Sequence, residues 1–274
     1  MSGLRTRIAP TPSGFVHAGN ALNFLIAHQL AREEGGTLLL RIDDLDTERM
    51  RPAYVQDIFD SLNWLGIIWD EGPNDVDDFH RNWSQTLRTE EANALLTTLK
   101  VAGHLYACTC SRRIVDHCAC SSANIRFDLP NTAWRLRVPE PCPVKIQGWP
   151  TGETQVDLHA VLKDPILRLR NGSPAYQIAS LADDIRFGMT LVVRGEDLLP
   201  STACQLYTAE LLGLDTFHHT RFFHHSLIAD GNGTKLSKSE GASSLRGMRL
   251  AGVSADQLRS QAASMLARFR AQGL

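Results

Sequence analysis

No apolar run in this sequence approaches the roughly 20 residues of a membrane-spanning helix, which sets membrane insertion aside. The N-terminus, MSGLRTRIAP, has none of the charged-then-apolar pattern of a secretory signal; export by that route finds no support, and a cytoplasmic location is expected. Internal repeats, low-complexity tracts and long flexible linkers are missing as well. Net charge is only −2, too small to announce a polyanion binder. That charge is unevenly spread: from residue 232 onward Lys235, Lys238, Arg246, Arg249, Arg259, Arg268 and Arg270 face only Glu240 and Asp256. A solvated helical face and contact with a polyanion both fit this basic end.

What is present is a chain of 274 residues, long enough for a substantial core. Residues 5 to 9 read as a strand, 20 to 34 as a helix with a periodic apolar face, and Leu38 to Ile42 as a buried strand after a Gly-Gly stop. Strand, helix and strand make the unit of a parallel sheet, whose ligand sites lie at the carboxyl ends of the strands. Further helices are expected at 52–66, 83–102 and 201–212, and strands near 166–170 and 190–194. Between 104 and 150 the periodic pattern gives way to cysteines, arginines and prolines, as in an insertion.

Three segments carry chemistry. APTPSGFVHAGN, residues 9 to 20, is a stiff, glycine-containing turn that opens the first helix. Such a turn offers free backbone N–H groups and the positive end of a helix dipole to a phosphate, with His17 as a further donor; on spacing alone a purely structural turn is the alternative. TKLSKS, residues 234 to 239, places two lysines in a glycine-rich loop, either mobile cations suited to polyphosphate or incidental lysines of a surface loop. CTCSRRIVDHCAC holds Cys108, Cys110, Cys118 and Cys120. Two CxC pairs in a cytoplasmic protein point to tetrahedral Zn²⁺ on four thiolates, a structural site with no open position; free thiols are the alternative. Cys142 and Cys204 lie outside this cluster.

The turn and the lysine loop together resemble the two signatures of the class I aminoacyl-tRNA synthetases of the glutamyl branch. The likeness extends through GTLLLRIDDLDTER, LNWLGIIWDEGP, YACTCSR, DPILRLRNGSPAYQIASLADDIRFGMTLVVRGEDLLPST and KLSKSEGASSL, in the family's order and over nearly the whole chain. It implies an α/β fold: the Rossmann-like parallel sheet of class I synthetases, with an inserted zinc-containing subdomain and a short C-terminal helical segment. The implied domains are 1–103, the first half of the catalytic unit; 104–150, the insertion; 151–240, the second half ending at the lysine loop; and 241–274, the helical segment. The long helical anticodon-binding domain of full glutamyl enzymes is not expected, a shortening that resembles the glutamyl-queuosine tRNA(Asp) synthetases.

The resemblance also implies residue roles. His17, Gly19, Asn20, Lys235 and Lys238 would hold ATP, with His17, Gly19 and the two lysines stabilising the phosphoryl charge as pyrophosphate leaves; no protein nucleophile is needed. Arg7, Thr11, Asp43, Tyr176, Ser180 and Arg194 would form the glutamate site, Arg7 on the side-chain carboxylate and Asp43 on the ammonium. Purely structural duties remain for them: pairing of Arg7 and Arg194 with Asp43, Asp44 or Glu196, and a core position for Tyr176. Two departures from the family pattern stand out. Asp43 replaces the usual glutamate of the glutamyl enzymes, which leaves glutamine open as a substrate, and Ala18 replaces a larger apolar residue. Relatives complete the zinc site with a tyrosine; none stands between the CxC pairs here, and His117 is an alternative ligand. The implied partners are glutamate, ATP with Mg²⁺, and tRNA(Asp) carrying queuosine, on a monomer whose basic C-terminal segment touches the tRNA. The competing readings are a catalytic fragment of an ordinary glutamyl-tRNA synthetase and a non-enzymatic synthetase paralogue.

Overall fold

The computed structural model describes residues 3–110, 118–226 and 244–272. Strand β1 (Arg5–Ile8) leads through the turn-rich segment into helix α1 (Ala18–Glu33), which is buried over most of its surface. Gly35, at φ 59°, reverses the chain. Gly36 follows where a Cβ would stand 2.5 Å from the Leu4 carbonyl oxygen, so the doublet fixes the close return to β2 (Thr37–Leu40). β2 pairs parallel to β1, from Arg5 opposite Thr37 to Ile8 opposite Leu40. Helix α2 (Pro52–Leu65) starts on a proline and ends at left-handed Gly66, both preferred at those positions.

The helix expected at 83–102 begins later, as α3 (Thr89–Val101). Asp44 accounts for the delay: it accepts from the Ser84 hydroxyl at 2.5 Å and the Gln85 amide at 2.7 Å, which holds residues 84–88 in a tight turn. The antiparallel unit follows, with β3 (Leu105–Cys108), β4 (Ala133–Leu136), β5 (Pro143–Gln147), β6 (Glu153–Asp157) and β7 (Ile166–Arg168). β3, β4 and β7 form one sheet, and β5 and β6 a hairpin. The expected boundary at 150 falls in the turn of that hairpin, and the strand near 166 joins the inserted sheet through β4.

Helix α4 (Tyr176–Arg186) then returns to β8 (Leu191–Gly195), α5 (Leu199–Leu211) and β9 (Arg221–His225), with β8 and β9 parallel. Thr190 donates its amide to the Arg5 carbonyl at 2.9 Å, and Arg7 reaches the Val193 carbonyl at 3.4 Å, so β1 and β8 advance side by side. The strands therefore lie in the order β2, β1, β8, β9. Short α6 (Leu245–Leu250) and α7 (Ala255–Gln272) close the chain.

One apolar core joins α1, α2 and α7 to β1 and β2; a second joins α3, α4 and α5 to the hairpin, with residues of β8 and β9 in both. Four of the C-terminal arginines are engaged within the molecule, Arg270 by donating to Glu33 at 2.6 Å. Arg259 donates Nε to the Leu65 carbonyl at 2.9 Å, while Arg246 lies over the Phe15 ring at 5.8 Å and Arg249 over Trp64 at 5.5 Å. No helix among the described residues is long and apolar enough to cross a membrane.

Candidate active site

The ends of β1, β2 and β8 and the first turns of α1 and α4 converge on one region. His17 is the N-cap of α1, and its Nδ1 accepts from the Asn20 amide at 3.3 Å. An imidazole that accepts at Nδ1 carries its ring proton on Nε2. Gly19 makes this seating possible, because a Cβ there would lie 3.1 Å from His17 Cε1 and Nδ1. The turn before it is buttressed: the Val16 amide donates to Asp57 at 2.8 Å, and the Phe15 and Tyr54 rings meet edge to face at 5.0 Å. Ala18 is buried and Thr11 exposed.

Lys235 and Lys238 lie outside the described residues. The chain on either side of them is tied to α1 and its approach. His225 Nε2 is 3.1 Å from Asn23 Oδ1, and the Leu245 amide donates to the Val16 carbonyl at 2.8 Å.

Behind the turn sits a buried ionic cluster. Arg7 donates to Asp184 at 3.0 Å, and Arg41 to the same carboxylate at 2.7 Å. Arg41 also grips both oxygens of Asp43, at 2.7 and 3.0 Å, and donates to Ser180 at 3.0 Å. Arg88 holds Asp183 in the same two-pronged way, at 2.7 and 3.1 Å, with Gln85 adding a bond at 2.7 Å. Burial pushes the Asp184 carboxyl up, but Arg7, Arg41 and Arg194 outweigh it and hold the group below its ordinary value. At Asp43 burial wins over Arg41, and the carboxyl is raised. Arg194 is only 3% exposed, with Tyr176 close enough to enter its field. Tyr176, 41% exposed at the start of α4, is not a core tyrosine.

The sequence-expected residues Arg7, Asp43, Ser180 and Arg194 are thus brought together, with Tyr176 at the rim. The partner of Arg7 is Asp184, rather than Asp43, Asp44 or Glu196. Arg41, Arg88, Asp183 and Asp184 escaped the sequence reading; the pairing of Arg41 with Asp43 was signalled by their i, i+2 spacing at a strand end, which puts two side chains on one face.

The four sulfurs of Cys108, Cys110, Cys118 and Cys120 lie within 4.8 Å of one another. A tetrahedral zinc with bonds of about 2.3 Å separates its sulfurs by about 3.8 Å, so the set fits that ion. His117 lies outside the described residues, and the four thiols suffice without it. Hydrogen bonds from Cys120 and Cys118 push the Cys110 thiol up to about 12. The Cys120 thiol, against its own burial, is held down at about 7 by the Thr109 backbone and its neighbouring thiols. Arg170 clamps the knuckle from outside, donating to the Thr109 and Cys110 carbonyls at 2.6 and 2.5 Å.

The sequence profile described as "tRNA synthetases class I (E and Q), catalytic domain" matches residues 3–119 and 120–272. The chain belongs to the E and Q family of class I tRNA synthetases. A protein of Nitratidesulfovibrio vulgaris named glutamyl-Q tRNA(Asp) synthetase is 34% identical over 272 residues, covering 92% of this chain and 83% of that one. One of the same name from Burkholderia mallei is 36% identical, with 89% and 84% covered. A glutamate–tRNA ligase of Anaeromyxobacter is also 36% identical, but the match spans 54% of its length. Among solved structures, glutamate-tRNA synthetase from Elizabethkingia anophelis superposes with a TM-score of 0.72 at 24% identity, over 92% of this chain and 54% of that one. The parallel sheet with its antiparallel insertion is therefore the catalytic fold of class I synthetases.

Proposed function

We propose that the protein activates glutamate with ATP and transfers the glutamyl group to queuosine of tRNA(Asp). What supports this reading is that the relatives matching over most of both lengths carry that activity in their names. The glutamate carboxylate attacks the α-phosphorus of ATP and pyrophosphate leaves; a hydroxyl of the queuosine cyclopentene ring then attacks the adenylate carbonyl and AMP departs. Each step needs positioning and charge stabilisation more than a protein nucleophile.

The residues present suit those tasks. The α1 N-terminus with His17, Gly19 and Asn20 is suited to phosphate, and Lys235 and Lys238 would complete the clamp, with Mg²⁺ arriving on the nucleotide. Arg7 and Arg194 supply guanidinium groups for the glutamate side chain, with Tyr176, Thr11 and Ser180 around them. Asp43 remains the candidate for the ammonium even though Arg41 holds both its oxygens, because a carboxylate keeps further lone pairs. Zn²⁺ on the four cysteines would brace the insertion, structurally. A monomeric cytoplasmic enzyme is the form proposed.

The test is pyrophosphate exchange without tRNA, run with glutamate, glutamine and aspartate, followed by transfer to tRNA(Asp) with and without queuosine. Exchange with glutamate and transfer only to the queuosine-bearing tRNA are expected. Exchange with glutamine alone would overturn the substrate, and absence of exchange would favour a binding protein.

A further inference from the structure

Arg194 is held in place by neutral groups. Its Nη1 donates to Gln205 Oε1 at 3.0 Å and to Thr202 Oγ1 at 3.2 Å, both on α5. Nε and Nη2 are buried and make no hydrogen bond, with Nη2 3.9 Å from Asp184. The neighbouring guanidiniums are better matched. Arg41 has Asp43 and Arg88 has Asp183, each through two bonds, while Asp44 is occupied by Ser84 and the Gln85 amide. Asp184 is already bonded by both Arg7 and Arg41, at 3.0 and 2.7 Å, so Arg194 alone of these four guanidiniums has no carboxylate within hydrogen-bond distance. A buried guanidinium with two idle donor nitrogens is costly unless an anion completes it.

We propose that Gln205, assisted by Thr202, determines side-chain specificity: it orients Arg194 while withholding negative charge, so the unmatched guanidinium is reserved for the side-chain carboxylate of the amino acid. This rests on the reading of the chain as a glutamate-activating synthetase, and adds the residue that sets acid against amide. A carboxylate at position 205 would complete the ion pair inside the protein, and an amide side chain would then fit the site as well as an acid. Gln205 is fully buried on the face of α5 that meets α4, where its Nε2 donates to the Gln177 carbonyl at 3.4 Å, so its amide is oriented from both ends. It acts through Arg194 and is a positioning residue.

The experiment compares wild type, Gln205→Glu and Gln205→Met in pyrophosphate exchange with glutamate and with glutamine, separating KM from kcat. Gln205→Glu should raise KM for glutamate by roughly ten-fold or more, leave KM for glutamine unchanged or lower, and alter kcat little. Neutral Gln205→Met should shift both KM values together and keep the preference. An equal rise for the two amino acids in Gln205→Glu, or an unaltered preference, overturns the proposal. If wild type exchanges with neither amino acid, the underlying reading fails instead. Should Gln205→Glu not fold, as judged by circular dichroism, Thr202→Asp puts the same charge on the other acceptor. It must erode the same preference, or the proposal falls.

Discussion

Gly19 lies so close to the His17 ring that a single added carbon would stand 3.1 Å from both Cε1 and Nδ1. Real side chains rarely pack that tightly, so the ring would have to give by a few tenths of an ångström, which weakens the already long 3.3 Å bond from the Asn20 amide. Gly19→Ala therefore separates two effects. Alanine favours a helix over glycine by about 1 kcal/mol, which offsets the weakened capping bond, so thermal stability should change little. KM for ATP in pyrophosphate exchange should rise several-fold, since the displaced His17 ring would present Nε2 less well from its N-cap position. A variant with unchanged KM would mean that the imidazole seating is unrelated to nucleotide binding.

The cysteine cluster predicts its own metal content. Purified protein should hold one zinc per chain by elemental analysis, and Cys108→Ser or Cys120→Ser should lose it, since a serine hydroxyl is a poor substitute for thiolate. A chelator should lower the melting temperature of wild type but not of a metal-free variant. Arg170→Ala, which removes two hydrogen bonds to the Thr109 and Cys110 carbonyls, should speed zinc loss without abolishing binding. Wild-type protein free of zinc after purification in a zinc-supplemented medium would contradict the site.

How much of this was legible beforehand follows from where each signal resides. The first strand, α1, β2 and α2 could be read because their boundaries are local: apolar periodicity, the Gly35–Gly36 stop, Pro52 and Gly66 all lie within the elements they punctuate. The start of α3 was misread, because Ser84 and Gln85 are held by Asp44, about forty residues earlier in the chain. Arg7 and Arg194 were singled out by resemblance. Their common partner Asp184 was not, since it lies 177 residues from Arg7 and only the approach of β1 to β8 and α4 brings them together. Gln205 carries no sequence signal at all; a buried glutamine on an apolar helix is noticed only once its acceptor is seen on a guanidinium.

His224 is held neutral in the folded protein. Burial first, then Arg194 and His225, depress its pKa to about 3, and its Nε2 lies 2.8 Å from Thr202 Oγ1. The unfolded chain takes up a proton near pH 6.5 while the folded one resists, so this group removes stability as pH falls from about 6.5 toward 3. The slope for one such proton is at most about 1.4 kcal/mol per pH unit. His28 and His225, also depressed by burial, act in the same direction. Urea unfolding at several pH values between 7 and 4.5 should show a shallower decline for His224→Gln than for wild type. Identical slopes would mean that His224 titrates normally in the fold.

Arg259 and the pair Arg246 and Arg249 should part company when mutated. Arg259 caps the end of α2, with Nε on the Leu65 carbonyl at 2.9 Å and a second nitrogen on Asp256 at 2.6 Å. Losing a partner for a helix-terminal carbonyl costs about 1 kcal/mol, so Arg259→Ala should lower the melting temperature by a few degrees and leave the salt dependence of tRNA binding alone. Arg246 and Arg249 are exposed and stack their guanidiniums on Phe15 and Trp64, a geometry that keeps the charge in water and available to phosphate. Replacing both with glutamine should weaken tRNA binding and reduce the slope of log K against log salt by about 1.5, while glutamate-dependent exchange without tRNA persists. An unaltered salt slope in the double variant would remove α6 from the tRNA interface and leave its arginines as packing residues.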